Sequence, residues 1–478
     1  MHPGFRLVLL LLFILLHLHR SHFGSSPLVQ ASTHIYVDDK MWAMILPDDP
    51  TPSSRPGRGA PAGRLVQKRP ASKPPSEKLV ARAKPKAAPK AKAQPQAKAK
   101  PKAKSAAMAK AAARSMVIKP WLSGPPPAGP VGYASDCSGL DAGAFALLRI
   151  TSFRHHFASE VDPTYRAILM ASHPRINTVF DGMVKRDPEQ LALFVGRVTI
   201  YTAGFPCPTY SKQGNRQGMD DPSGAGFVVF YVALTIGKLI PDMFIRGNVP
   251  HLANDKKFQK QFDVTMRILY ECADGIYNIH WHILNSRDFG VPASRQRLYI
   301  VGIRRDRQRA EWTWPVGSGK VSLTSILDRD SPTDAEKQAA LGQLKPYQLR
   351  NLIAGLEKLN ATHQNTANSD NEPWVVDVGK GKSFATSVYL DEMPTITKKR
   401  AKELGWFITN RGGLIREHEL LKCQGFDPST IVVPPGVNRS RLREMIGNSY
   451  TVNVMEDLFR CGLRAWARRR QLGWRLSE

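Results

Sequence analysis

From residue 131 onward, short apolar runs alternate with longer segments whose apolar positions recur at helical spacing. Val131 to Cys137 reads as a strand. The small-residue turn Ser138-Gly139-Leu140-Asp141 follows, and then an apolar helix from Ala142 to Ile150. Phe153 to Ala158 reads as a second strand, ending at Glu160, and Asp162-Pro163 opens a helix to about Ala171. Val198 to Ala203 is a strand that runs into a Gly-Phe-Pro-Cys loop; Phe227 to Leu239 is helical, and Asp242 to Arg246 is a strand. Strand–helix alternation of this kind predicts an α/β fold, an open and mostly parallel sheet with helices on both faces. Ligands of such sheets sit beyond the carboxyl ends of the strands.

The first 115 residues follow a different pattern. The apolar run from Arg6 to Leu16, with Gly24, Ser25 and Ser26 after it, is too short to span a bilayer comfortably, so no stable membrane association is expected. Residues 1–30 fit a signal or targeting segment for a secretory or plastid route. They equally fit a start codon placed too far upstream, with translation beginning at Met41, Met44 or Met116. Residues 31–115 read as a low-complexity basic linker or tail, in which Ala, Lys and Pro supply 28 of the 34 residues from 81 to 114. No hydrophobic face recurs there, so no core can form.

Charge sharpens that reading. The chain carries 68 Lys+Arg against 40 Asp+Glu, a net charge of +28, and residues 64–114 hold 16 basic side chains and one acid, Glu77. Such an excess points to a polyanion, usually nucleic acid. The tail is similar to that of a linker histone, which contacts phosphates without reading sequence and loosens as salt rises. A solvated linker is the alternative. The five cysteines, Cys137, Cys207, Cys272, Cys423 and Cys461, are odd in number and lack C-x-x-C spacing. That argues against a zinc cluster or a disulfide framework, so no metal is expected, and it favours a reducing compartment.

Three strand ends carry candidate chemistry. The turn Cys137-Ser138-Gly139-Leu140 lets a cofactor approach the backbone, and Glu160, about 20 residues on, can accept hydrogen bonds from a ribose. A helix cap and an exposed acid would look the same. In Gly204-Phe205-Pro206-Cys207-Pro208, a cysteine held between prolines suits a nucleophile if nearby positive charge favours its thiolate. A buried structural cysteine is the alternative. Arg295 and Arg297 alternate into an apolar strand and so share a face, which suits a phosphate or a base carbonyl, or else a solvated edge.

The order of these elements resembles the C5-cytosine DNA methyltransferase family. Cys137 to Ala146 resembles its first, S-adenosylmethionine-binding motif, and Glu160 and Asp181 fall where its ribose- and adenine-contacting acids lie. Gly204 to Cys207 resembles its nucleophile motif, with Pro206 beside the cofactor. The segment Phe244-Ile245-Arg246-Gly247-Asn248-Val249 stands where the family has a strand ending Glu-Asn-Val. Arg295 and Arg297 match its arginine motif. Arg416-Glu417 through Gln424-Gly425-Phe426, and Ile446-Gly447-Asn448-Ser449, resemble its last two motifs. The match covers roughly 131–461.

The resemblance implies a Rossmann-like catalytic domain over 116–309, a small target-recognition domain over 310–390 holding Trp312, Trp314, Tyr347 and Trp374, and a return to the catalytic domain over 391–478 through a helix around 442–463. It implies methyl transfer from S-adenosylmethionine to C5 of a cytosine flipped out of double-stranded DNA, in the nucleus, by a monomer. Cys207 is then the nucleophile, Arg295 and Arg297 hold the cytosine carbonyl, Asn248 orders the nucleophile loop, and Asn448 lies by the cofactor. The chain departs from the family at several positions. Gly247 replaces the Glu that assists protonation of the ring, Pro208 and Ala293 replace Gln, Cys137 replaces an aromatic residue and Asp141 a glycine. Loss of general-acid assistance is worth about a hundredfold or more. Gly247→Glu is therefore the substitution the sequence suggests for restoring an acid. A catalytically weakened relative that binds DNA or chromatin, and a tRNA cytosine-5 methyltransferase, remain as alternatives.

Overall fold

The computed structural model describes residues 130–204, 209–211, 214, 216–329, 333–362, 372–379 and 387–466. The N-terminal segment, the basic tail, Pro206, Cys207 and Pro208 lie outside the described residues.

The centre is a seven-stranded sheet built from β1 (Val131–Asp136), β2 (Phe153–Ser159), β3 (Thr178–Phe180), β4 (Ile200–Ala203), β5 (Met243–Asn248), β6 (Tyr277–Asn285) and β7 (Gln296–Arg304). Its order is β3-β2-β1-β4-β5-β7-β6. The first five strands are parallel, and β7 inserts antiparallel between β5 and β6. The strand order reverses between β1 and β4, which opens a crevice at their carboxyl ends.

Both faces of the sheet are covered, and the alternation along each strand shows how. On β1, Tyr133 enters one apolar cluster and Ala134 the other; on β5, Ile245 and Phe244 divide the same way; on β7, Val301 and Ile300 do so. The first face is covered by α1 (Ala142–Ile150) and α2 (Pro163–Ser172), the second by α3 (Val228–Leu239). The short α4 (His251–Asn254) leads to α5 (Gln259–Glu271), which also packs on the second face through Phe262 and Leu269. Two acids fix helix starts. The Asp141 carboxylate accepts from the Ala144 amide, and Asp162 accepts from Thr164 and Tyr165 with Pro163 in the first turn.

A second, four-stranded antiparallel sheet follows, preceded by α6 (Asp334–Gly342) and α7 (Pro346–Thr362). Its strands β8 (Trp374–Asp377), β9 (Val388–Leu390), β10 (Trp406–Ile408) and β11 (Gly413–Leu414) run in the order β11-β10-β8-β9, with α8 (Lys398–Lys402) between β9 and β10. Two of its strands lie beyond the expected boundary at residue 390. The small sheet is also not a separate globule. Trp406 and Ile408 share the core of the large sheet's first face, whereas Phe407 points to a satellite cluster with Val376, Val378 and Leu352.

The chain then returns through α9 (Glu417–Cys423) and α10 (Arg439–Asn448) to α11 (Val452–Trp466). The buried residues of α11, among them Val454, Met455, Leu458, Phe459 and Leu463, recur at helical spacing. At Gly462 the helix lies so close to β5 that a Cβ would stand 2.1 Å from the Met243 sulfur. An Arg149–Glu456 pair at 3.3 Å ties α11 to α1. No helix among the described residues is long and apolar enough to cross a membrane.

Candidate active site

A cavity of about 560 Å³ opens at the carboxyl ends of β1, β2, β3, β4 and β5. The turn after β1 supplies one wall. Cys137, Gly139 and Asp141 all take positive φ, at 53°, 55° and 55°. Glycine adopts this conformation freely, whereas the two flanking side chains store strain of about 1–2 kcal/mol each. At Gly139 a Cβ would meet nothing within 4 Å, so the backbone faces open space. Opposite stands Glu160. Its two carboxylate oxygens each accept one backbone N–H, from Gly139 and from Asp162, both at 3.0 Å. Burial pushes its pKa up and the two amides oppose that shift.

Cys137, Ser138, Gly139, Glu160, Asp181, Asn248, Arg295, Arg297 and Asn448 all line this one cavity. Leu140 does not. Its side chain is fully buried in the core beneath the turn, and its carbonyl pairs with the His173 ring. Asp181 and Asn448 are exposed at the rim, whereas Asn248 is buried. The Asn248 Oδ1 accepts from the Val249 amide at 2.7 Å, and its Nδ2 is a buried donor with no hydrogen-bond partner among the described residues. Such a donor is costly unless a ligand or loop supplies an acceptor.

The two arginines both line the cavity but differ in what they hold within the protein. Arg295 precedes β7 rather than lying in it, and only 3% of it is exposed. Its guanidinium donates to the carbonyls of Ile396, Gly447 and Ser449, which places it as a brace between the strand and the returning C-terminal segment. Arg297 is half-buried and faces the cavity, with Nη1 on the neighbouring Gln296 carbonyl.

Some residues at the site were not legible in the sequence. The ring of Tyr450 lies against Tyr299 with centroids 5.9 Å apart, and its hydroxyl donates to the Ala203 carbonyl at 2.8 Å. Burial pushes that phenol's pKa up, so it stays neutral. Tyr450 also fills the space beside Gly247. A Cβ built there would stand 2.3 Å from the ring. Gly247→Glu therefore does not simply restore an acid. Arg246, on the other face of β5, is buried among Tyr201 and Tyr210, and burial lowers its pKa to about 9. Lys398, from α8, also reaches the cavity. Alternation along β5 signals that 246 and 247 face opposite ways, but nothing local brings residue 450 to residue 247.

Away from the cavity, Asp328, His418 and Glu419 approach one another at metal-ligand spacing. Arg411 already pairs with the buried Glu419, and Arg416 and Lys422 with the partly exposed Asp328, so both carboxylates have cationic partners within the protein.

The family profile for C-5 cytosine-specific DNA methylase matches residues 135–461. The chain belongs to this family. Its members are S-adenosylmethionine-dependent DNA C5-cytosine methyltransferases. Among its relatives, the Type II methyltransferase M.SsoII of Shigella sonnei is 26% identical over 266 residues, which cover 54% of this chain and 62% of the relative. The Type II methyltransferase M1.ScrFI of Lactococcus lactis subsp. cremoris is 27% identical over 266 residues, covering 54% and 60%. The chain thus spans less than two thirds of the length of these two methyltransferases. The solved Entamoeba histolytica methyltransferase EhMeth aligns with a TM-score of 0.48 and 15% identity, over 71% of this chain and all of that one. The family match places the methylase region on the two sheets and the C-terminal helices, and leaves the basic tail outside it.

Proposed function

We propose that this protein is a DNA cytosine-5 methyltransferase that takes its methyl group from S-adenosylmethionine. The observation that carries the reading is convergence: Glu160, Asn248, Arg297 and the root of the Cys207 loop at Gly204 meet in one cavity at the strand-order reversal. The residues fit the co-substrate. The open turn at Gly139 admits a ligand close to the backbone. Glu160 keeps lone pairs for ribose hydroxyls, and the Nδ2 of Asn248 is a donor awaiting an acceptor. When bound, S-adenosylmethionine supplies an electrophilic methyl group.

The chain's own residues account for the rest. A cytosine leaves the duplex stack to reach the cavity. The Cys207 thiolate adds to C6, which makes C5 nucleophilic. Arg297 donates to the base carbonyl and stabilises the charge that addition places on the ring. Loss of the C5 proton after transfer expels Cys207 and restores the aromatic ring. The basic tail contacts the phosphates of the duplex, and the nucleus is the compartment that holds this substrate.

A second reading draws on Gly247: a relative of reduced turnover that retains DNA binding through its tail. One experiment separates them. Full-length protein, and Cys207→Ala beside it, are given labelled S-adenosylmethionine and cytosine-containing duplex DNA. Label in DNA with wild type and none with Cys207→Ala is the expected result. A silent wild type that still binds duplex DNA would favour the weakened relative, and equal labelling by both proteins would overturn the Cys207 mechanism.

A further inference from the structure

Gly247 and Tyr450 are matched. The phenol ring and its oxygen stand 2.3 and 2.6 Å from the Cβ position of residue 247, closer than real side chains approach one another. The same hydroxyl is 3.2 Å from the Cβ position of Gly204, so glycine at both strand ends makes room for it. Tyr299, the partner of Gly247 across β5 and β7, backs the ring. The hydroxyl then ties the segment after α10 to the carbonyl of Ala203, the last residue of β4.

We propose that Tyr450 is a positioning residue of the active site: its phenol takes the place of a side chain at 247 and holds the end of β4, from which the Cys207 loop departs. The site has exchanged an ionisable group for a neutral strut. Burial keeps the phenol protonated, so it goes on donating its single proton to the Ala203 carbonyl and the strut persists across the neutral range. An acid at 247 and a tyrosine at 450 exclude each other. The bearing of Tyr450 on methyl transfer rests on the function proposed above, whereas the steric exclusion does not.

Two measurements on the full-length protein test this. The first is thermal unfolding of wild type, Gly247→Glu, Tyr450→Val and the double variant. Gly247→Glu should lower the melting temperature by about 4 °C or more, as overpacking does. In the Tyr450→Val background the same change should cost less than half of that. Additive losses would overturn the exclusion.

The second uses Tyr450→Phe, which keeps the ring and removes the hydroxyl, with its bond to the Ala203 carbonyl and its contact with the Gly247 backbone. Its kcat should fall about tenfold or more, since small misplacements of a nucleophile cost up to about a hundredfold. KM for S-adenosylmethionine should stay within about twofold, because uniform binding is untouched. A wild-type kcat in Tyr450→Phe would overturn the positioning role. Should the wild type itself transfer no methyl, the reading of function fails separately, and peptide-mapped labelling of Cys207 by iodoacetamide decides instead. A severalfold change of that rate in Tyr450→Phe supports the strut, and an unchanged rate overturns it.

Discussion

Arg186 grips Asp136 with both terminal nitrogens, at 2.8 and 2.9 Å, beneath the floor of the cavity. The pair is closed on all sides. Tyr201 donates to the Asp136 carboxylate at 2.7 Å, Arg186 donates onward to Ser159 and Thr235 at 2.9 Å each, and the rings of Phe157 and Phe180 lie within 5.1 Å of the guanidinium. Residues from β1, β2, β3, β4, α3 and the segment after β3 thus meet at one ion pair, which sets how the turn after β1 sits against β2 and α3.

Breaking that pair from one side should be severe. Arg186→Met leaves a buried carboxylate with no cation and should cost about 3–5 kcal/mol of stability. Arg186→Met combined with Asp136→Leu should recover most of the loss, because no buried charge then remains. Denaturant unfolding of the two variants checks this, and a double variant no more stable than the single would contradict it.

His155 makes stability depend on pH. Burial is the largest influence on its ring and lowers its pKa from 6.5 to about 4, against the opposing pull of Asp141. The folded state keeps the ring neutral while the unfolded chain protonates it near 6.5. The contribution is therefore complete above about pH 6.5 and drains away as pH falls towards 4, by on the order of 3 kcal/mol. The melting temperature should drop between pH 7.5 and 5, and His155→Phe should flatten that slope. An equal slope in both proteins would assign the effect to other groups.

The two arginines of the motif should separate experimentally. Arg295→Lys replaces a planar fork on three carbonyls by a point donor, so it should lower both stability and methyl transfer. Arg297→Ala should leave stability within about 0.5 kcal/mol of wild type and lower kcat. Melting curves and steady-state kinetics on the same preparations give both readouts. Loss of stability in Arg297→Ala would show that it, too, is a brace.

Much of the first half of the large sheet could be read from the chain. The helix from Ala142 to Ile150 has the expected bounds, β2 runs one residue past Ala158, and β5 two past Arg246. These elements are local: an apolar period, a capping acid and a small-residue turn lie within a few residues of one another. The second sheet was harder to read. Its strands β9, β10 and β11 are two or three residues long, too short to show a period, and their pairing joins residues 374–377 to 406–408.

The sequence alone determined the strand–helix order, the family and the set of candidate side chains, because each of these is written in residue type and short-range spacing. The tertiary structure decided where those side chains sit and what they touch. Arg295 and Arg297 both line the cavity, and the first is tied to the C-terminal segment because the chain around Gly447 folds back over it. Gly247 is not an empty position but the seat of Tyr450, about two hundred residues away along the chain. Contacts at such separation depend on how whole elements pack, and packing is a property of the assembled core rather than of any local stretch.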